Sequence, residues 1–236
     1  MAKQTAQNFL DHLITFQSDA EREKIQRYFK NDDPDNRVIG VRMKYTFDLA
    51  KKFSSDMPLY EIEKLLDSPY YEARMGAVSM MDFQVRPKSA SKEYRKERFN
   101  LYLDRHDRIN NWDFVDRAAP RVIGSYLYDY DKPRDILYKL AQSDNPWERR
   151  TAIVSTAWFI KKGELSNTYK IAEMLLDDKH EYVQKAIGTW LRHTGKQDEK
   201  RLLDFLEKNA LKMERSTLTT AMEKLKKKHK TYFRSK

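Results

Sequence analysis

The chain has 236 residues, 46 Lys and Arg against 36 Asp and Glu (net +10), and no Cys. That length can bury a real core, in one large domain or two small ones; the absence of Cys excludes a disulfide framework and thiolate chemistry and fits a reducing cytosol. The polar stretch Met1–Asn8, with no long apolar run after it, reads as neither a secretory signal nor a membrane span, and the basic excess favours an anionic partner, nucleic acid before an acidic membrane surface, with a merely solvated surface as the plain alternative.

Six Gly, seven Pro and almost no strand-like alternation predict an all-α chain. Phe9, Leu10, Leu13 and Ile14 form an apolar stripe in a first helix from about Thr5 to Phe16. Ser18 suits the N-cap of a second, through Ile25 to Phe29. Pro34 marks Asp32–Asn36 as a loop. Ile39-Gly40-Val41 reads as a short apolar turn, and a third helix covers roughly Met43–Phe53. Pro58 opens a short helix ending near Leu66, and Asp67-Ser68-Pro69 breaks it. The next carries Ala73, Ala77, Met80 and Met81 and ends before Pro87. Lys88–Ser91 is a polar loop, Lys92–Leu103 a helix, and Asp104–Asn110 again mostly polar.

In Asn111-Trp112-Asp113-Phe114-Val115-Asp116-Arg117, Trp112 and Asp116 stand four residues apart. On a helix they share one face, and an aromatic face beside an anion can hold a cation. Pro120 lies inside the same helical pattern, which predicts a kink or a helix start. Arg134–Ala141 is a short helix. Ser143-Asp144-Asn145-Pro146 stops it and caps the next, which runs to about Lys161, where Gly163 ends it. Four more helical patterns lie near Ser166–Leu176, Glu181–Arg192, Asp198–Asn209 and Ser216–Tyr232.

An internal repeat separates a bundle from a solenoid. Tyr71-Glu72-Ala73-Arg74, Trp147-Glu148-Arg149-Arg150 and Tyr182-Val183-Gln184-Lys185 each place an aromatic first and a basic residue three later; Trp112-Asp113-Phe114-Val115 keeps the aromatic alone. The aromatics at 71, 112, 147 and 182 are spaced by 41, 35 and 35 residues, a period that fits stacked helical pairs of the HEAT type. Such a stack presents a concave face, here expected to carry aromatics and Arg or Lys suited to a nucleic-acid backbone. Inter-repeat packing is the competing account of the aromatics, favoured for Tyr71 and Tyr182 and open for Trp112 and Trp147.

The chain resembles the DNA alkylation repair enzymes built of HEAT-like repeats, the AlkD-type DNA glycosylases. The likeness covers nearly the whole chain. It rests on Tyr28-Phe29-Lys30-Asn31 followed by Ile39-Gly40-Val41, on Trp112 to Asp116 with Pro120 and Gly124, on Ser143 to Ile153, and on Gln184-Lys185-Ala186-Ile187-Gly188 with Leu191-Arg192. It implies a right-handed superhelical stack of HEAT-like repeats with a concave basic face, in one domain over residues 1–236. It also implies a cytoplasmic monomer that acts on double-stranded DNA carrying alkylated bases, without metal, cofactor or membrane. The family's active site of two Trp, an Asp and an Arg falls on Trp112, Asp116 and Arg150, with Arg149 as the rival of Arg150. The second Trp falls on Thr189, next to Trp190, and this is a departure, because a shift of one residue turns a helical side chain by about 100°. Contacts to DNA are expected from Tyr28, Trp147, Arg149, Lys185 and Trp190, although Tyr28 also suits packing.

Alkylation at N3 of adenine or N7 of guanine makes the purine a cation and a good leaving group. The enzyme then needs mainly to stabilise an oxocarbenium-like sugar and place a water, which one carboxylate, Asp116, can do. Trp112 offers a π face to the cation, and Arg150 a bidentate clamp for a phosphate. Relatives of this type can act without flipping the base into a deep pocket, unlike most enzymes that work on bases. Asp116 as a structural partner of Arg117 or Arg150 is the plain alternative, and Asp113 is expected only to favour a helix N-terminus. The Lys-rich end, Lys224 to Lys230 with Arg234 and Lys236, suits either phosphates or solvent. Relatives that only bind DNA, some preferring branched DNA, supply a second reading, and a protein-interaction scaffold a third. The five His show no metal-ligand spacing, and no Gly-rich phosphate loop, nucleophile elbow or helix-hairpin-helix motif is present.

Overall fold

The computed structural model describes residues 4–29 and 36–235. The loop expected around Pro34 lies, up to residue 35, outside the described residues, as do Lys30, Asn31 and Lys236. Among the described residues the regular structure is all helical, with no β-strand and an isolated bridge between Arg37 and Tyr70. The chain divides into two compact units, Met1–Ala118 and Ala119–Lys236.

In the first unit, Thr5 caps α1 (Ala6–Ile14) and Ser18 caps α2 (Asp19–Gln26), each side-chain oxygen accepting an N–H of the first turn. α3 (Met43–Ser54) buries Leu49, Ala50 and Phe53, and α4 (Leu59–Leu66), entered through Pro58, buries Ile62, Leu65 and Leu66. Both pack on α5 (Tyr71–Gln84), whose residues from Tyr71 to Asp82 are all buried. A helix buried on every side is the core around which its neighbours are laid. α6 (Lys92–Asp104) starts on a Ser91 cap, a 3-10 turn at His106–Arg108 crosses the polar stretch, and α7 (Trp112–Ala119) follows.

The turn Ile39-Gly40-Val41 is held by Glu72, a fully buried residue of α5. Its carboxylate accepts the backbone N–H groups of Ile39 (3.0 Å), Gly40 (2.8 Å) and Val41 (3.1 Å). Gly40 is required there: its φ is +97°, and an added Cβ would stand 2.6 Å from the Ser18 carbonyl oxygen. A charge in the core is thus satisfied by three N–H groups that the turn would otherwise leave unpaired.

In the second unit Pro120 opens a π-helical segment, Pro120–Ser125, that leads into α8 (Tyr126–Asp129). Pro has no N–H for the i→i−4 bond and its ring crowds the carbonyl one turn back, so the helix widens there. α9 (Asp135–Ala141) and α10 (Pro146–Lys161) follow, the latter capped by Asn145 and ended by Gly163 at φ +81°. An added Cβ on Gly124 would lie 2.1 Å from the Ser155 carbonyl oxygen, so the π segment can approach α10 only because position 124 is Gly. α11 (Ser166–Met174), α12 (Glu181–Gln197), α13 (Glu199–Asn209) and α14 (Arg215–Ala221) complete the order, with α10, α12 and α14 packed in succession as stacked repeats require.

Several helix boundaries differ from expectation, among them the end of α2 at Gln26 instead of Phe29. α12 runs past Arg192 to Gln197, because Gly195 sits inside it against Leu202 instead of ending it. The helix expected over Ser216–Tyr232 is two, α14 and α15 (Lys227–Arg234). Leu218, Ala221, Met222 and Leu225 keep helical spacing across the break, so periodicity does not reveal it. Across the break the Lys230 ammonium donates to the Glu223 carbonyl at 2.8 Å.

Candidate active site

α7 has a one-sided apolar face. Phe114, Val115, Ala118 and Ala119 are fully buried, which turns Trp112 and Asp116, one turn apart, to the opposite side. Trp112 retains 39% of its surface and Asp116 is exposed. The helix starts on Asn111, whose Oδ1 accepts the Trp112 N–H at 2.7 Å. Arg117 points elsewhere: its guanidinium meets the buried Asp82 at 3.3 Å and Ser79 at 2.9 Å, and lies over the rings of Phe47 and Phe83.

Asp113 does more than start a helix. Its Oδ1 accepts the Phe114 N–H at 2.8 Å, and its Oδ2 accepts the hydroxyl of Tyr71. Burial pushes its carboxyl up to about 6, helped by the charge of Asp116 and opposed by the two hydrogen bonds. Burial also raises the Tyr71 hydroxyl, with Asp113 as the next cause, so Tyr71 remains the donor. Neither residue was a site candidate from the sequence; Tyr71 lies 42 residues away, and no local pattern announces the pair.

The raised carboxyl has a stability consequence. The folded state holds the Asp113 proton up to about pH 6, while the ordinary carboxyl loses it near 3.8. Its contribution is therefore present below pH 4 and lost as pH rises through 6. Asp113→Asn is expected to stabilise the protein by about 1–3 kcal/mol at pH 8 and by almost nothing at pH 3.5. Urea unfolding at the two pH values checks this; a variant less stable than the parent at pH 8 would contradict it.

In the second unit, Trp147 near the start of α10 packs edge-on against His180 at 5.1 Å and against Tyr182 at 5.8 Å. Equivalent aromatics of adjoining repeats thus touch. Tyr71 plays a similar part, against Phe29 at 4.9 Å and Phe114 at 5.3 Å. Arg149 knits repeats together, with Asp178 at 2.5 Å and the carbonyls of Ser143 and Asp144 at 2.9 Å. Arg150 is buried, 6% exposed, and donates to the Tyr182 carbonyl.

The expected row of basic residues does not extend to Arg74. That side chain is fully buried, donates to Asn110 Oδ1 at 3.0 Å and to Asn36, and lies 5.3 Å from the Phe114 ring centroid. A guanidinium can be buried when carbonyl-type acceptors and an aromatic ring replace its hydration. Lys185 is exposed, paired with Glu181 and placed over the Tyr182 ring at 5.1 Å. Tyr182, Lys185 and Thr189 share a face of α12 by their spacing. Trp190 turns aside from it and packs against His193, ring centroids 5.1 Å apart and tilted. Tyr28, 73% exposed, stands at a cavity that Trp112 also lines.

The family model for the DNA alkylation repair enzymes matches residues 9–225. The chain belongs to the DNA alkylation repair enzyme family. A solved structure described as a predicted DNA alkylation repair enzyme from Enterococcus faecalis shares the fold, with a TM-score of 0.70 and 18% identity over 89% of this chain and 97% of that one. No curated protein matches. The family ties the protein to the repair of alkylated DNA, and a net charge of +10 suits DNA as the partner. Among the described residues no helix is long and apolar enough to cross a membrane.

Proposed function

We propose that the protein is a monofunctional DNA glycosylase that removes cationic N3- or N7-alkylated purines in base excision repair, as a cytoplasmic monomer of a single repeat domain. The observation that carries the reading is the pairing of a part-exposed Trp112 with an exposed Asp116 on one face of α7. The bond from the sugar C1′ to the ring nitrogen breaks, and its electron pair neutralises the alkylated base. Asp116 faces the oxocarbenium-like sugar, orients a water towards C1′ and takes its proton. Trp112 gives the cation a π face, worth about 0.5–2 kcal/mol. Arg150 is assigned a phosphate of the lesion strand, to be met by donors other than the one its bond to the Tyr182 carbonyl uses. Tyr28, Trp147, Lys185 and Trp190 are assigned to the DNA around it, and Arg149 to the same strand through whatever its tie to Asp178 leaves available. Release of 7-methylguanine from duplex DNA by the parent but not by Asp116→Asn is the test; equal release by both sinks the assignment.

A second reading is a DNA-binding protein without excision, motivated by Thr189, which leaves the face of Tyr182 and Lys185 without the second Trp. It predicts no base release. It also predicts duplex or junction binding that Asp116→Asn leaves unchanged and that weakens by about 10³-fold or more between 50 and 200 mM salt if six or more phosphates are contacted. Salt-insensitive binding, or none at low salt, would remove this reading.

A further inference from the structure

Away from Trp112, a cavity of about 610 Å³ opens inside the first unit at the far end of α5 from Tyr71, about 20 Å along that helix. The end of α3 brings Ser54 and Ser55 to it, the end of α5 brings Gln84, the loop before α6 brings Ser89 and Ser91, and the first turn of α6 brings Tyr94. The size falls in the range of small-molecule sites, about 300–1,000 Å³. Its floor is polar and fixed. Gln84 is buried; its amide donates to the Ser54 carbonyl at 2.9 Å and the Met57 carbonyl at 2.8 Å, and its oxygen accepts the Nε–H of Arg98 at 2.9 Å.

Two guanidiniums stand directly behind these walls. Arg98, 4% exposed, lies over the Tyr94 ring, 3.3 Å from its centroid. Arg95 holds the rim, donating to the Ala90 carbonyl at 3.2 Å and the Pro87 carbonyl at 2.8 Å. Carbonyl-type acceptors orient a guanidinium without cancelling its charge. Glu97, which meets Arg98 at 2.6 Å, and Asp56, which meets Ser55 at 3.2 Å, are exposed, so water screens them. Burial pulls the Arg98 guanidinium below its ordinary value, opposed by Tyr94 and Glu97. The segment around the cavity is basic as well, with Arg86, Lys88, Lys92, Arg95, Lys96 and Arg98 against Glu93 and Glu97, and Lys51 and Lys52 in the last turn of α3. Ser91 Oγ accepts the Tyr94 N–H at 3.1 Å, which leaves the hydroxyl proton to be donated. A desolvated cation beside hydroxyl donors is relieved by an anion with several oxygens, and Tyr94 adds a ring for a flat group to lie on.

We propose that this cavity binds the phosphate group of a nucleotide, with the base against Tyr94. Ser89 and Ser91 donate to the phosphate oxygens, Arg95 and Arg98 supply the opposing charge from behind the walls, and Gln84 keeps Arg98 in place. The nucleotide is either free or one unit of a strand. The site is separate from the Trp112–Asp116 pair, and the assignment stands without the glycosylase reading.

The probes are adenosine 5′-monophosphate and adenosine, titrated calorimetrically into the full chain at low ionic strength and about pH 7.5, where the phosphate carries close to two charges. The monophosphate is expected to bind more tightly by about tenfold or more, the worth of charge-assisted hydrogen bonds. Ser89→Glu, at an exposed position, sets a like charge at the rim and should abolish that preference, and Tyr94→Leu should weaken both ligands several-fold. Duplex DNA binding by Ser89→Glu separates the two sources. A weaker complex whose salt slope falls by about one assigns a strand phosphate, and unchanged duplex binding assigns a free nucleotide. No preference for the monophosphate, or one that Ser89→Glu leaves in place, overturns the proposal.

Discussion

Asp116→Asn is expected to lower the rate of 7-methylguanine release by about 10²–10³-fold, the loss seen when one group aimed at developing charge is removed. Asn keeps the shape and a hydrogen-bonding oxygen but carries no charge. It can neither stabilise the sugar cation as an ion nor take a proton from water. The fold should be indifferent, since Asp116 is exposed on α7 and the apolar face of that helix is made by Phe114, Val115, Ala118 and Ala119. Surface changes of this kind stay within about 0.5 kcal/mol. Single-turnover base release and urea unfolding on the same samples separate the two effects. A tenfold loss or less, or a variant that unfolds early, would place Asp116 in the scaffold. DNA affinity is a second control, because a carboxylate repels phosphate and the variant should bind at least as tightly as the parent.

Glu72→Ala carries the largest expected cost in stability. The carboxylate is fully buried and three backbone N–H groups, from Ile39 to Val41, depend on it. Its removal leaves those donors unpaired and a void against α5. Each unsatisfied donor costs about 1–3 kcal/mol, and the costs do not add fully, so a loss of about 3–5 kcal/mol is expected. Glu72→Gln should lose less, since one oxygen remains and the amide group meets the N–H groups wrongly. Denaturant unfolding reads both, and a loss below about 1 kcal/mol for Glu72→Ala would falsify the assignment. The turn also joins α2 to α3 through residues that line the Trp112 cavity, Tyr28 and Phe29 before it and Arg42 and Met43 after it.

Much of the molecule was legible without coordinates because the signals are local. Ser18, Ser91 and Asn145 cap helices through N–H groups two or three residues away, and Gly163 ends α10 through its own φ. Trp112 and Asp116 share a face because of helical pitch alone. The repeat phase was legible for the same reason: Tyr71 and Trp112 are the first residues of α5 and α7, and Trp147 and Tyr182 the second residues of α10 and α12. The break between α14 and α15 was not legible, since the apolar spacing runs through it and no Gly or Pro marks it.

The identity of the helices, their caps, the repeat and the Trp112–Asp116 pair were determined by the sequence itself, because each depends on residues within a turn or two. The uses of the charged side chains were decided only by the tertiary structure. Arg74, Arg149 and Arg150 share one short pattern with Lys185, yet Arg74 is sealed against Asn110, Arg149 is tied to Asp178 and Arg150 holds the Tyr182 backbone, while Lys185 remains exposed. Asp113 looked like a helix-starting residue and became a half-buried carboxylate on Tyr71. A charge takes the partner that packing brings within about 3 Å, and that partner lies in a different repeat, some tens of residues away along the chain.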